Sequence, residues 1–239
     1  MFLLCIPAMS QDPAPKLQDP NFHGWYMYFG DHPFKGKWGL HLEGQWRRHE
    51  VITKPQQLLL RPGINYELNP NVMFTLGYGY VTTHRYGDFP ARFAFPEHRI
   101  YQQVLLKHSV GKVGFQHRYR MEQRWIGVMQ QAAGGGAERV SWRHQNRFRY
   151  FMKGVVPLGK SPYFAALYDE IFLGFGPNIG ASVFDQNRAY AALGRKLTPN
   201  NRVEFGYLNQ LVAQRNGRVL EINHTLQVAW FSTVRLGKK

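Results

Sequence analysis

Two neighbouring stretches of the chain alternate between apolar and charged side chains. In residues 113–125, one set of alternate positions is mostly apolar, and the other is Gln116, Arg118, Arg120, Glu122 and Arg124. In residues 142–153, the polar set is Arg143, Gln145, Arg147, Arg149 and Lys153. Because successive side chains of a strand point to opposite faces, each stretch predicts a long strand with one apolar and one charged face. Charged groups are costly to bury without partners, so we expect the charged faces to meet water.

Strand-like segments follow one another along nearly the whole chain, and no segment has the periodicity of a helix. Most are longer than the usual strand of a globular protein, and they suit the roughly 9–11 residues with which a tilted strand crosses a bilayer. The eleven segments lie near residues 23–30, 38–48, 57–68, 72–83, 99–109, 112–125, 141–156, 162–173, 186–196, 202–213 and 219–235. Since single-chain bacterial barrels normally have an even number of strands, we expect ten or twelve, with one segment split, missed or spurious.

The connections between these segments alternate in length through the middle of the chain. Tight turns are predicted at residues 69–71, 109–112, 157–160 and 198–201, and long connections at 84–98, 127–140 and 174–185. Short turns at one end and longer loops at the other are typical of an up-and-down barrel. In lipid, only a closed sheet pairs all of its backbone groups internally. The predicted fold class is therefore all-β, an antiparallel up-and-down transmembrane β-barrel of 10–12 strands.

The first ten residues have the features of the second half of a secretion signal. An apolar run at residues 2–6 is followed by the small-x-small pattern of residues 8–10. We therefore predict a truncated signal peptide over 1–10, a Pro- and Gln-rich leader over 11–21 and a single barrel domain over 22–239, exported to the bacterial outer membrane. A frayed apolar N-terminus is the alternative. The single cysteine, Cys5, excludes a disulfide framework and a cysteine-based metal site.

The chain is strongly basic, with 30 Lys and Arg residues against 15 Asp and Glu and a formal net charge of +15. If the charged faces point inward, eleven basic side chains line the lumen: Arg47, Arg61, Lys107, Arg118, Arg120, Arg124, Arg143, Arg147, Arg149, Lys153 and Arg188. The carboxylates on the same faces are Glu43, Glu67, Glu122, Glu170 and Glu204. Eleven cations against five anions predict an interior that is about six charges positive.

A basic interior permits more than one interpretation. Rings of Arg and Lys line anion and phosphate pores, so the lumen could be a narrow anion-selective passage. Side chains can also fill a small barrel, so carboxylates paired with arginines could instead close it and leave a structural or accessory protein. A site for a partner or ligand is the third possibility. The expected partners are the lipid bilayer and small anionic solutes, and no protein partner is identified.

An outer-membrane hydrolase is an alternative of a different class. It would need a nucleophile, a base and an orienting group within hydrogen-bond reach. Ser141 and His144 are close in sequence, but residues three apart in a strand point to opposite faces. The neighbouring carboxylates Asp169 and Glu170 diverge for the same reason. The sequence therefore identifies no catalytic residue.

The remaining classes follow from the spacing of the polar residues. The histidines His108, His117, His144 and His224 are scattered rather than set at ligand spacing, so we expect no metal and no cofactor. The basic residues are dispersed at period two and form no recognised nucleic-acid motif, so no nucleic-acid partner is expected. A soluble basic β-barrel that binds an anionic ligand is a further alternative, and it would turn the arginine rows outward.

Several short stretches together resemble a known family. They are Lys37-Trp38-Gly39-Leu40 through Arg47, residues 99–103, residues 117–124, Arg147-Phe148-Arg149-Tyr150, residues 168–172, residues 184–188, residues 204–207 and Asn223-His224. In this order they resemble the family catalogued as domain of unknown function 2490, secreted barrel-like proteins of Gram-negative bacteria. The resemblance spans nearly the whole mature chain. It implies an outer-membrane-type barrel and brings no assigned activity and no catalytic residues.

Overall fold

The structure, a computed structural model, describes residues 17–237. Their regular elements are eleven strands: β1 Leu17–Lys35, β2 Trp38–His49, β3 Lys54–Asn69, β4 Val72–Thr83, β5 Phe95–Val110, β6 Val113–Gln131, β7 Ala137–Pro157, β8 Tyr163–Phe175, β9 Phe184–Thr198, β10 Asn201–Ala213 and β11 Val219–Ser232. No helix in this part of the chain is long and apolar enough to cross a membrane.

The strands form one closed barrel in chain order. Each strand is antiparallel to its neighbour in the chain, whereas β1 and β11 close the barrel as a parallel pair that runs from Leu17–Val219 to Gly30–Ser232. The parallel closure follows from the odd strand number, because in an up-and-down sheet every second strand has the same direction. The predicted all-β class and closed up-and-down barrel are confirmed. The observed eleven strands lie within the predicted range of 10–12, but the expectation of an even number is wrong, because all eleven predicted segments are strands.

The first strand is longer than its predicted segment. β1 begins at Leu17, within the predicted leader of residues 11–21, and Asp19 and Asn21 are already buried inside the barrel. Pro20 lacks a backbone donor, and its side chain lies on the exposed outer face. The predicted signal peptide of residues 1–10 lies outside the described residues.

The two ends of the barrel differ in the length of their connections. At the end that we call the turn end, the connections are residues 36–37, 70–71, 111–112, 158–162 and 199–200. At the opposite end, the loop end, they are residues 50–53, 84–94, 132–136, 176–183 and 214–218. Gly36 and Gly111 have positive φ angles of 54° and 58°, as tight hairpin turns require. Because the strand number is odd, β1 begins at the loop end and β11 ends at the turn end.

The outer face of the barrel is largely apolar. Its exposed side chains include Leu60, Ile64, Leu76, Leu167, Leu193 and Phe205. Tryptophans lie toward both ends: Trp38 packs on Tyr66 near the turn end, and Trp46 packs on Tyr26 near the loop end. Both tryptophans lie on the same face of β2 and are eight residues apart, roughly 26 Å along the strand. At a strand tilt of about 40° this separation corresponds to an apolar band roughly 20 Å tall.

Polar pairs interrupt this apolar band at two places. The exposed amides of Gln102 and Gln123 hydrogen-bond to each other across β5 and β6. On the β8–β9 side, Asn187 donates to the exposed carboxylate of Asp169 at 3.1 Å. Each group therefore meets a polar partner in a neighbouring strand.

Candidate functional site

The structure places the eleven predicted basic residues around three cavities inside the barrel. The largest, which we call the loop-end cavity, has a volume of about 600 Å³ and lies beneath the long loops. The turn-end cavity, of about 200 Å³, lies toward the tight turns, and a third cavity of about 150 Å³ contains Arg143 in its wall. Lys107 lines the turn-end cavity with an exposed side chain, whereas most of the other predicted cations are buried.

The predicted carboxylates are placed differently from one another. Glu43, Glu170 and Glu204 line the turn-end cavity with buried side chains. Glu122 lies between the cavities with an exposed fraction of 0%. Glu67 lies on the same face of β3 as Arg61. It is exposed near the end of the strand and belongs to no ion pair within residues 17–237.

A layer of ion pairs, which we call the waist, lies in the middle of the barrel and is formed by Glu122, Glu170, Arg147 and Arg149. Arg149 bridges the two carboxylates, because its Nη1 donates to Glu122 at 2.7 Å and its Nη2 donates to Glu170 at 2.7 Å. Arg118 donates to Glu170 from the next strand at 2.6 Å. Such charge-assisted bonds between arginine and carboxylate are among the stronger hydrogen bonds in proteins. The waist therefore joins strands β6, β7 and β8 through their inward faces.

Further ion pairs lie on either side of the waist. Arg61 donates to Glu43 at 2.7 Å on the β2–β3 side, and Lys153 donates to Glu204 at 2.6 Å below the waist. Toward the loop end, Arg99 donates to Glu97 at 2.6 Å. Each pair joins oppositely charged groups in a region with little access to water, where an unpaired charge would be costly.

Aromatic rings pack between the guanidinium groups. The guanidinium of Arg149 lies 4.3 Å from the centre of the Phe172 ring, and that of Arg120 lies 4.4 Å from the Tyr101 ring. Phe172 lies on the inward face of β8 and is only 1% exposed. Arg stacks well on aromatic faces, so these rings fill space and stabilise the cations at the same time. Rings and guanidinium groups thus fill part of the interior between the cavities.

The fully buried charges are close to balance. Among the described residues, the buried cations are Arg47, Arg61, Arg99, Arg120, Arg147, Arg149, Lys153 and Arg188. The buried carboxylates are Asp19, Glu43, Glu97, Glu122, Glu170, Glu204 and Glu221. Eight cations thus face seven anions among the fully buried groups, whereas the loop-end cavity is lined by eight arginines against Glu97 and Glu221.

Sequence reasoning missed four of these buried charges. Glu97 and Arg99 lie on β5 on the same face as Lys107, so the alternation that identified Lys107 could have found both. Asp19 lies in the segment that was predicted to be a leader. Glu221 lies near the start of β11, where it accepts a hydrogen bond from a residue of a loop, and no local pattern signals that contact.

The loop of residues 84–94 folds over the mouth of the loop-end cavity. Tyr86 donates to Glu221 at 3.0 Å, and the carbonyl of Phe89 accepts from Gln214 at 3.1 Å. The backbone amide of Asp88 donates to Asp19 at 3.2 Å. Burial and the neighbouring carboxylate of Glu221 raise the pKa of Tyr86 well above its usual value, so the phenol stays protonated and keeps donating. The loop is thereby tied to the opposite wall, formed by β1 and β11.

Arg47 differs from the other buried arginines in its partners. Its Nε donates to Gln45 at 2.9 Å and its Nη1 donates to Gln57 at 2.7 Å. None of the ion pairs among residues 17–237 includes Arg47. Its guanidinium lies 3.8 Å from the centre of the Trp25 ring, at the border between the loop-end and turn-end cavities. Arg47 is thus a buried cation whose hydrogen-bond partners are neutral.

The residues considered for a hydrolase do not come together. Ser141 is exposed, and His144 lies on the other face of β7, where its ring packs 5.3 Å from that of Trp125. Asp169 points outward and Glu170 inward. Within the described residues, no group of three or more His, Cys, Asp or Glu side chains could hold a metal ion.

The fold and site define a class of protein, a closed eleven-stranded barrel with an apolar exterior and an ion-paired interior. The chain belongs to the family described as "Protein of unknown function (DUF2490)", whose model matches residues 22–221, and the resemblance seen in the sequence is confirmed. An uncharacterised protein of Methylorubrum extorquens is 31% identical over 187 residues, which cover 75% of this chain and 74% of that protein. A solved structure of the NanC porin aligns with a TM-score of 0.47 and 13% identity, over 82% of this chain and 90% of that chain.

Proposed function

We propose that this protein is an integral barrel of the bacterial outer membrane, closed at its waist by ion pairs, which receives small anions in its loop-end cavity. The observation that carries the proposal is the opposite polarity of the two barrel faces. Phe205 is 59% exposed on the outer face, whereas the neighbouring Glu204 is 1% exposed inside. A soluble basic barrel would need the reverse arrangement, with its arginine rows outside.

The outer face supports the membrane part of the proposal. A closed barrel leaves no strand edge unpaired, which is a requirement for backbone that passes through hydrocarbon. Large contiguous apolar surfaces are rare on monomeric soluble proteins and mark contact with a membrane or another protein. Tryptophans such as Trp38 and Trp46 lie toward both ends of the apolar band, as aromatic residues do at membrane interfaces.

The waist supports a closed barrel rather than an open pore. Glu122 is inaccessible to solvent, Arg149 is 3% exposed, and Phe172 fills the space beside them. A hydrated ion would have to separate these ion pairs in order to pass. The loop-end cavity above the waist keeps a basic lining, with eight arginines against Glu97 and Glu221, so its field favours anions.

Reconstitution tests the proposal. Purified protein should stay with phospholipid vesicles after an alkaline carbonate wash, because its outer face requires hydrocarbon. In planar bilayers the wild-type protein should give no steady open-pore current, because the waist leaves no water-filled path. Protein that is freely soluble without detergent would contradict the membrane assignment, and a steady ohmic current would contradict the closed waist.

A narrow anion-selective pore is the second candidate, because the two large cavities are close together. Arg47, Arg61, Arg149 and Arg188 line both of them, so a single layer of side chains separates the cavities. Rearrangement of that layer would connect the two ends of the barrel through arginines. A current in a KCl gradient whose reversal potential follows chloride would favour this candidate, and no current or a preference for potassium would remove it.

A further inference from the structure

We propose that Arg47 and Arg188, packed against Trp25, form a binding site in the loop-end cavity for a small carboxylate that carries several hydroxyl groups. This inference rests on the proposed function, in which the cavity receives anions, and it names the residues and the ligand class. The three side chains come from β2, β9 and β1, which the closed barrel brings together. Arg47 and Arg188 line the loop-end cavity, and Trp25, on which both pack, lines the turn-end cavity behind them. Each of them is less than 10% exposed.

The geometry places two cations beside one indole. The guanidinium of Arg47 lies 3.8 Å from the centre of the Trp25 ring, and that of Arg188 lies 5.0 Å from the same centre. The indole Nε1 donates to Gln56 at 2.8 Å, which fixes the orientation of the ring. Two guanidinium groups held beside a fixed ring form a preorganised pair of donors, since little side-chain freedom remains to be lost when a ligand binds.

The charges of this pair are poorly compensated by the protein. Within residues 17–237, the groups that accept from Arg47 are the neutral amides of Gln45 and Gln57. Arg188 donates to Gln186 at 3.2 Å, and its nearest carboxylate oxygen, on Glu170, is 3.6 Å from Nη1. The Nε of Arg188 is buried and has no hydrogen-bond partner among the described residues. Buried cations need a counter-charge, so a negatively charged ligand is the partner that the site lacks.

The rest of the cavity indicates the ligand class. Its wall contains the neutral side chains of Gln56, Gln57, Gln186 and Gln210, which can bond hydroxyl groups and add no charge. A carboxylate matches the fork of a guanidinium and can accept two bonds from it. The volume of about 600 Å³ lies within the range of small-molecule sites. The exposed side chains of Phe89 and Arg215 line the outer rim, so a ligand would enter between the loops.

The neighbouring arginines are less suited to this role. Arg147 and Arg149 already bond Glu122, and Arg99 and Arg124 already bond Glu97. A ligand carboxylate at those positions would compete with a protein carboxylate. At Arg47 it would meet amides instead, so we expect the anion to bind there.

Titration calorimetry in a non-ionic detergent tests the site, with gluconate as the probe. The wild-type protein should bind gluconate, and glucose or an equal concentration of chloride should not reproduce or displace that binding. Arg47→Gln and Arg188→Gln should each weaken gluconate affinity at least tenfold. Arg47→Lys, which keeps the charge but loses the fork, should cause a smaller loss. Lys107→Gln, which removes an interior cation from the turn-end cavity, should leave the affinity unchanged.

The folded state of each variant is checked by its far-ultraviolet circular dichroism before titration. Unchanged gluconate affinity in folded Arg47→Gln would overturn the site, as would an equal loss in Lys107→Gln or full competition by chloride. The failure of the site is distinguishable from that of the proposed function. If gluconate does not bind but the protein stays with the vesicles and gives no current in planar bilayers, the site alone is overturned. If gluconate binds specifically but the protein gives a steady current, the closed waist alone is overturned.

Discussion

Glu122 accepts two hydrogen bonds from Arg147 at its Oε2, at 2.6 Å from Nη2 and 2.9 Å from Nε. The two residues are direct cross-strand partners in the β6–β7 ladder, so the register of the sheet sets their contact. Both lie near the middle of their strands and both are buried. This contact within the waist is therefore produced by the alternation of polar residues that is already visible in the sequence.

Loss of the Glu122 charge should destabilise the barrel. Glu122→Gln keeps the shape of the side chain but leaves Arg147 and Arg149 without their shared carboxylate. Removing one partner of a buried ion pair costs about 3–5 kcal/mol, so we expect a loss near the lower end of that range in the free energy of unfolding. Urea unfolding of the protein in lipid vesicles measures it.

The matched control for this change is Glu67→Gln, which alters an exposed carboxylate near the end of β3. Surface substitutions of this kind usually change stability by less than about 0.5 kcal/mol. Equal effects of the two substitutions would show that the waist is not a source of stability.

A charge on the outer face should be costly only in the middle of the apolar band. Phe205 lies near the centre of β10 beside Leu193 and Val228, its partners in the neighbouring strands. Phe205→Arg should lower the free energy of unfolding in vesicles by roughly 2–4 kcal/mol. Leu197→Arg, close to the turn end and beside Arg195, should cost about 1 kcal/mol or less. Similar small losses at both positions would contradict the lipid-facing orientation.

The long strands and their two faces could be predicted from the sequence because alternation is a local property. Arg118, Arg120 and Arg124 lie on one face of β6, and Tyr119 and Met121 on the other. All eleven strands were found for the same reason. The ends of the strands were harder: β1 begins at Leu17 rather than near residue 23, because its first residues pair with β11, which is distant in sequence.

The partners of the buried carboxylates could not all be predicted because some of these contacts join distant residues. Tyr86 reaches Glu221 across 135 positions of the chain, and the amide of Asp88 reaches Asp19 across 69 positions. Inward-facing aromatic residues were also hidden. Phe172 and Trp25 look like lipid-facing residues by composition, but stacking with arginine places them inside.

The parallel closure of the barrel can be tested by cross-linking. Tyr26 of β1 and Val228 of β11 are partners on the outer face. In a Cys5→Ser background, the double substitution Tyr26→Cys and Val228→Cys should form a disulfide on mild oxidation, because paired strand positions lie within disulfide reach. The mobility shift on a non-reducing gel measures it.

The control moves one partner along β11. Ile222 pairs with Pro20, six residues from Tyr26, so Tyr26→Cys with Ile222→Cys separates the sulfurs by roughly 20 Å and should not cross-link. Efficient cross-linking of the second pair, or of neither pair, would argue against the eleven-stranded closure.

The loop of residues 84–94 should open when its bond to the barrel wall is removed. Tyr86→Phe deletes the hydrogen bond to Glu221, and a bond to a charged group contributes about 1.5–3 kcal/mol. Local opening should therefore become at least about tenfold more frequent, and trypsin cleavage after Arg85 or Arg92 should accelerate by a similar factor. Tyr163→Phe, at the turn end, serves as the control and should leave the cleavage rate unchanged. An unchanged rate in Tyr86→Phe would show that this bond does not hold the loop.

The orientation of the two faces is tested most directly by a spin label at Phe205 in vesicles, in a Cys5→Ser background. We predict that the label at position 205 collides readily with molecular oxygen, which concentrates in hydrocarbon, and rarely with a water-soluble nickel chelate. A label at Ala133, in the exposed loop of residues 132–136, should show the reverse. Free collision of the nickel chelate with the label at position 205 would contradict the account, because that face would then be in water.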